Sequence, residues 1–219
     1  SEAVILAKIN SPNVVKVIEI GFSDGYDFLC LEWVEGEPLL NLTKLEPVII
    51  LDSIRKIALG LADVHANGIL HLDIKPDNIL LVKGKDDSFE PKIIDFGFSG
   101  GQKTIIDGMQ GTPQYMPPEQ SGLVRWPVDV SSDLYSLGVV AYEVLLGRRP
   151  FDDEDPRLVI QAHLENKVPA PSKINPLIHP LVERILQKLL EKNPANRYQT
   201  AIGLADDLKV AIQRIKTAN

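Results

Sequence analysis

Asp73, Lys75 and Asn78 lie in the run His71-Leu72-Asp73-Ile74-Lys75-Pro76-Asp77-Asn78-Ile79-Leu80, and Asp95 follows in Ile94-Asp95-Phe96-Gly97. Two carboxylates and an amide beside short apolar pieces offer hard oxygen ligands for Mg²⁺, with water and phosphate completing its shell. Lys75 places a point charge two residues from Asp73. Together these groups can orient a hydroxyl and neutralise a phosphoryl group in transfer. A third cluster, Gly111-Thr112-Pro113-Gln114-Tyr115-Met116-Pro117-Pro118-Glu119, adds a hydroxyl and a further carboxylate. Taken alone, each piece is ordinary: Asp-Phe-Gly is commonly a turn with a core Phe, and an Asp before a strand is commonly solvated. The ordered set of all three is what points to chemistry.

Those residues need elements to hold them. Residues 1–10 carry Ile5, Leu6 and Ile9 at helical spacing, and Ser11-Pro12-Asn13 ends the pattern. Residues 14–21 and 26–34 are rich in β-branched and aromatic side chains around Ser23-Asp24-Gly25, which predicts a hairpin. Glu35-Gly36-Glu37-Pro38 reads as a connector. Ile54, Ile57, Ala58, Leu61, Val64 and His65 form a helical stripe, with Asp52 or Ser53 as the expected cap and Gly68 as the stop. Short strands are expected at Ile69-Leu70, Ile79 to Val82 and Lys92 to Ile94, and a polar turn at 84–91. The stretch 97–118, rich in Gly and hydroxyl residues, reads as a long loop of the kind that is usually functional. Helices are predicted over 133–146, 157–165, 180–192 and 200–215. There is no internal repeat and no low-complexity tract.

At 219 residues the chain can bury a large core, and 44% hydrophobic with 24% charged residues excludes wholesale disorder. A formal charge of −7 argues against general nucleic-acid binding, which draws on clustered Lys and Arg. No apolar run is long enough to span a bilayer, and no signal peptide is evident at the start. The single cysteine, Cys30, is expected to be a buried, inert thiol, and a reducing, cytoplasmic setting is the expectation.

The ordered motifs resemble those of the eukaryotic-type protein kinase family over residues 2–208. The resemblance implies an α+β, protein-kinase-like fold: a mainly helical C-lobe over 35–219, with a catalytic loop at 71–80 and an activation segment at 95–119, and a partial N-lobe over 1–34. It implies transfer of the ATP γ-phosphoryl group to Ser or Thr hydroxyls of a protein substrate, with Mg²⁺, or Mn²⁺ in its place. Asp73 then corresponds to the catalytic aspartate, Lys75 to the lysine that contacts the transferred phosphate, and Asn78 and Asp95 to the metal ligands. Asp73-x-Lys75 is the serine/threonine form of that loop. Thr112 corresponds to the threonine that bonds near Asp73 and Lys75. Leu31 would be the gatekeeper, the Glu32 carbonyl and Val34 amide would meet the adenine edge, and Leu80 would lie beneath the ring. Glu2 falls at the helix-C glutamate, and Leu6 joins His71 and Phe96 in an apolar column. Glu119 would pair with Arg197, and Asp133 would accept hydrogen bonds from the catalytic-loop backbone, although a plain helix cap also explains Asp133.

Two departures from the family pattern carry expectations. Leu72 stands where the family usually has an arginine that receives the activation-loop phosphate, so activity of a complete enzyme is expected not to depend strongly on phosphorylation at Thr104 or Ser99. No glycine-rich loop and no strand Val-Ala-x-Lys precede Glu2, and Gly97, Gly100 and Gly101 do not substitute. The expectation is a domain truncated at its front and weak or inactive alone, with room for further domains in the parent chain. A pseudokinase or docking scaffold is the alternative, and a kinase-like small-molecule phosphotransferase a distant one.

Overall fold

The computed structural model describes residues 2–84, 88–96, 105–106, 109–110 and 112–218. A short helix α1 (Glu2–Leu6) leads into a hairpin of β1 (Val17–Ser23) and β2 (Tyr26–Leu31). Asp24 and Gly25 both have positive φ, 53° and 89°, which closes the two-residue turn in the sense that strand twist favours. Between helix and hairpin, Asn13 is buried and its side-chain amide donates to the Pro91 carbonyl at 2.8 Å. A second small sheet, β3 (Glu37–Pro38), β4 (Ile79–Lys83) and β5 (Phe89–Ile93), is antiparallel throughout. The Glu35 to Pro38 connector thus ends in a two-residue strand, whereas Ile69-Leu70 forms none. Ile105–Ile106 and Met109–Gln110 pair as β6 and β7; Gly97, Ser99, Gly100, Gly101, Thr104 and Gly111 lie outside the described residues.

Helices make up the body. Helix α2 (Pro47–Ala66) starts five residues ahead of the expected cap, with Pro47 in the first turn and no side-chain cap on Glu46. Asp52 sits inside the helix and pairs with Arg55 at 2.6 Å and Lys56 at 3.4 Å. Helix α3 (Val130–Leu146) is the central element, buried along almost its whole first three turns. Its cap is Asp129, which accepts from the Ser131 amide at 2.8 Å while Ser132 Oγ accepts from the Asp129 amide at 3.2 Å. A reciprocal box of this kind is worth about 1 kcal/mol. Four further helices follow, α4 (Pro156–Glu165), α5 (Pro171–Ile174), α6 (Pro180–Leu189) and α7 (Ala201–Ala218); α2, α5 and α6 pack on α3, and α7 packs on α2 and α6. Gly138 lets α3 and α6 touch: a Cβ there would lie 2.7 Å from Leu189 Cβ.

The core runs continuously from Leu6, Val14 and Val15 through the α2 stripe to α3, α6 and α7. Cys30 is not part of it. The expectation of a buried thiol is corrected, since Cys30 is exposed. Nothing among the described residues covers the outer faces of the β1–β2 ribbon, so its strand positions stay mostly open to solvent.

Candidate active site

The catalytic stretch is held from below by α3. Asp133, four residues into that helix, has a fully buried side chain that accepts from the His71 amide (2.9 Å), the Leu72 amide (2.7 Å) and His65 Nε2 (2.8 Å). It is not the helix cap, which is Asp129. Leu72 has φ 59°, a left-handed conformation that costs a non-glycine residue about 1–3 kcal/mol. The Asp133 bond on its N–H and a 2.9 Å bond from Gln120 Nε2 to its carbonyl hold it there. The bend turns the chain so that Asp73 points toward Lys75 and Thr112.

Three side chains then close a triangle. Lys75 Nζ donates to Asp73 Oδ2 at 2.9 Å and to Thr112 Oγ1 at 3.0 Å, and the Thr112 hydroxyl donates to Asp73 Oδ1 at 3.1 Å. Asn78 Nδ2 donates to the Asp73 carbonyl at 2.8 Å and reaches Asp73 Oδ2 at 3.3 Å. With its nitrogen committed to Asp73, Asn78 offers Oδ1 as the atom able to face a cation. The Ile94 amide donates to the Asn78 carbonyl at 3.0 Å, which brings the chain leading to Asp95 alongside Asn78. Asn78 Oδ1 and the Asp95 carboxylate are the oxygens that could hold Mg²⁺, an ion that usually takes only one or two protein ligands and fills its shell with phosphate and water. Among the described residues no group of three or more His, Cys, Asp or Glu could hold an ion unaided.

His71 packs against Phe96, ring centroids 4.8 Å apart, and both are buried in the core that holds Leu6. The Asp73 amide donates to His71 Nδ1 at 3.3 Å, so the ring proton sits on Nε2. Burial pushes the His71 pKa down against the opposing pull of Asp133, Asp73 and Asp95, which keeps the ring neutral.

At and just past the end of β2, Leu31 and Val34 are half-buried against the core, Leu80 of β4 is half-buried, and Glu32 is fixed at the strand end. The Glu32 amide donates to the Lys16 carbonyl at 2.9 Å, while its carboxylate accepts from the Lys16 amide at 2.9 Å and from Lys92. Glu2 opens α1, and its side chain lies outside the described residues. At the far end of the Thr112 segment, Glu119 and Arg197 form a bidentate pair at 2.6 and 2.8 Å, with both side chains fully buried. Ser132 Oγ adds a third bond to Glu119 at 2.7 Å, and Arg197 also donates to the carbonyls of Ser131, Glu191 and Lys192.

The family model for the protein kinase domain matches residues 1–207. The chain belongs to the protein kinase family. It is similar to a probable serine/threonine-protein kinase of Clostridium perfringens, 36% identical over 95% of this chain and 31% of that protein. It is similar as well to serine/threonine-protein kinase Pkn1 of Myxococcus xanthus (33% identical, 97% of this chain, 31% of that protein) and to serine/threonine-protein kinase PrkC of Bacillus subtilis (34%, 96% and 33%). The chain thus spans about a third of the length of these relatives. Members of this family generally use ATP and Mg²⁺. No helix among the described residues is long and apolar enough to cross a membrane.

Sequence reasoning brought together Asp73, Lys75, Asn78 and Thr112, and paired Glu119 with Arg197. It missed two supports of the 71–80 loop. His65 reads as one member of the α2 stripe, yet it binds Asp133; Gln120 reads as loop, yet it binds Leu72. The available signal for His65 is a titratable ring on an otherwise apolar helix face; for Gln120 there is none in the spacing.

Proposed function

We propose that this chain is the catalytic part of a serine/threonine protein kinase that transfers the ATP γ-phosphoryl group to protein Ser or Thr hydroxyls. The triangle of Asp73, Lys75 and Thr112 carries the reading. A carboxylate whose two oxygens are held by an ammonium and a hydroxyl has fixed direction. It is placed to accept the proton of an incoming substrate hydroxyl. Lys75, beside it, neutralises charge on the group in transfer. Asn78 and Asp95 would hold Mg²⁺, which would supply positive charge against the phosphate being transferred. Leu31, the Glu32 carbonyl, the Val34 amide and Leu80 form the adenine edge and floor, and Glu2 is the helix-C carboxylate.

On this reading 1–34 belongs to the nucleotide-binding lobe and 35–219 to the helical lobe. The family's glycine-rich loop and strand lysine are not among these residues, so the 219 residues by themselves are expected to turn over weakly. The test therefore uses the longest natural polypeptide that contains this chain. Asp73→Asn should reduce γ-phosphate transfer by about 10²–10⁴-fold, the usual worth of a positioned proton acceptor, while ATP still binds. Equal activity in the two proteins would remove the role given to Asp73. ATP binding without transfer in the unaltered protein would favour a docking scaffold.

A further inference from the structure

We infer that His163 of α4 is a positioning residue for the substrate-facing segment, its Nε2–H holding the Gln114 carbonyl and, through it, the turn that carries Thr112. The inference rests on the kinase reading above.

His163 is 1% exposed, although its helix lies at the edge of the body. Its Nε2 lies 3.0 Å from the Gln114 carbonyl oxygen, and its Nδ1 lies 2.8 Å from the Tyr135 hydroxyl. A carbonyl can only accept, so Nε2 carries the ring proton, and the Tyr135 hydroxyl must donate to Nδ1. One neutral tautomer satisfies both contacts. Phe151 and Tyr135 pack edge-on around the ring, with centroids 5.1 and 5.7 Å away, so it cannot swing off the carbonyl without breaking that packing. Lys192, past the end of α6, fixes the helix end by donating to the Ala162 and His163 carbonyls at 3.2 and 2.7 Å. Burial, with help from the Lys192 charge, pushes the imidazole down to about 3 against the pull of the Gln114 carbonyl. Nδ1 therefore remains an acceptor for the Tyr135 hydroxyl at neutral pH, and the single ring proton stays on Nε2, facing the Gln114 carbonyl.

The segment reached by this bond is one short turn from the catalytic triangle. In the turn Pro113–Tyr115, the Tyr115 amide donates to the Thr112 carbonyl at 3.0 Å, so Gln114 cannot move without carrying Thr112 along. Ser136 Oγ donates to the Tyr115 carbonyl at 2.8 Å, and the far end is bolted by Glu119 to Arg197. The Arg197 guanidinium lies 4.6 Å from the Tyr135 ring centroid, and the Tyr135 hydroxyl supports His163. One tyrosine of α3 thus braces both ends of the segment, and His163 is the side chain that conveys this support to the Thr112 end.

The experiment compares the unaltered protein with His163→Phe, His163→Gln and Tyr135→Phe in the longest natural polypeptide. Phe leaves the Gln114 carbonyl without its buried donor, whereas Gln retains a donor and an acceptor. His163→Phe should raise the KM for a Ser/Thr peptide about tenfold, with the KM for ATP nearly unchanged, the cost expected of one lost buried hydrogen bond. It should also speed hydrogen exchange at the Tyr115 and Met116 amides but not in α2. His163→Gln should restore most of both properties, and Tyr135→Phe should fall between. An unchanged peptide KM with unchanged exchange overturns the inference. So does a rise in both KM values with faster exchange in α2, which would mean general loosening. If the unaltered protein phosphorylates no peptide, the kinase reading fails, and the exchange measurement still decides whether His163 holds the turn.

Discussion

The β1–β2 ribbon and helix α3 are both rich in apolar residues, and they meet opposite fates. In α3 every residue from Ser131 to Tyr142 is buried, polar ones included, and each polar one for which a bond has been given above is satisfied. In the ribbon, Ile18, Ile20, Phe22, Tyr26 and Phe28 all remain exposed, Tyr26 to 78%. The difference is one of layers: α3 packs against α2, α5 and α6, whereas the outward faces of the ribbon meet no covering element among the described residues. Apolar character sets what burial would contribute; only a second layer realises it. The 71–80 loop draws on the first kind of environment, because Asp133 holds the left-handed Leu72 from a helix packed on several sides.

If α3 is the rigid reference, the largest stability effect should come from the ion pair that ties the Thr112 segment to it. Arg197→Ala leaves the Glu119 carboxylate buried beside Ser132 with its cation gone. Loss of one partner of a fully buried pair costs about 3–5 kcal/mol. Urea unfolding followed by far-ultraviolet circular dichroism measures it. A loss under about 1 kcal/mol, the range of exposed pairs, would show that this region is no better fixed than the ribbon.

A smaller effect tests the same contrast through pH. His163 is neutral when folded, with its pKa pushed down to about 3 by burial and the nearby Lys192 charge, while in the unfolded chain it titrates near the ordinary imidazole value of 6.5. Below pH 6.5 the unfolded state therefore binds a proton that the folded state refuses, and stability falls as pH drops from 6.5 toward 3. Above that window the imidazole contributes no slope. His71, also pushed down by burial, acts with the same sign. Each ring contributes at most about 1.4 kcal/mol per pH unit. Unfolding measured between pH 5 and 6.5 should show a gentler slope in His163→Gln than in the unaltered chain; identical slopes would mean that the ring is solvated when folded.

How much of this was legible follows the same division. The α3, α6 and α7 helices declare themselves by apolar stripes, and the candidate site positions by ordered motifs whose spacing the proposed chemistry restricts. The start of α2 was hidden because Asp52 and Ser53 look like caps, while the helix begins at Pro47 and uses Asp52 for ion pairs inside it. Asp133 had two readings in sequence; Asp129 takes the cap, which frees Asp133 for the catalytic-loop backbone. His163 and Gln120 gave no signal, because each acts on a carbonyl distant in sequence and a backbone carbonyl has no identity to read. Strand patterning showed which ribbon residues share a face but not whether anything covers it.

Cys30 puts that last point to the smallest and sharpest measurement. It lies opposite Glu19 in the ribbon and is exposed, so a thiol reagent should modify it in the folded protein at nearly the rate seen in denaturant. Cys30→Ser should alter the unfolding free energy by no more than about 0.5 kcal/mol, as surface substitutions do. In a covered strand the same change would bury a hydroxyl without an assured partner, at about 1–3 kcal/mol, and modification would wait for unfolding. That slower pattern in the longest natural polypeptide would mean that a further layer lies over the ribbon there, and the contrast with α3 would then hold for these residues alone rather than for the protein that contains them.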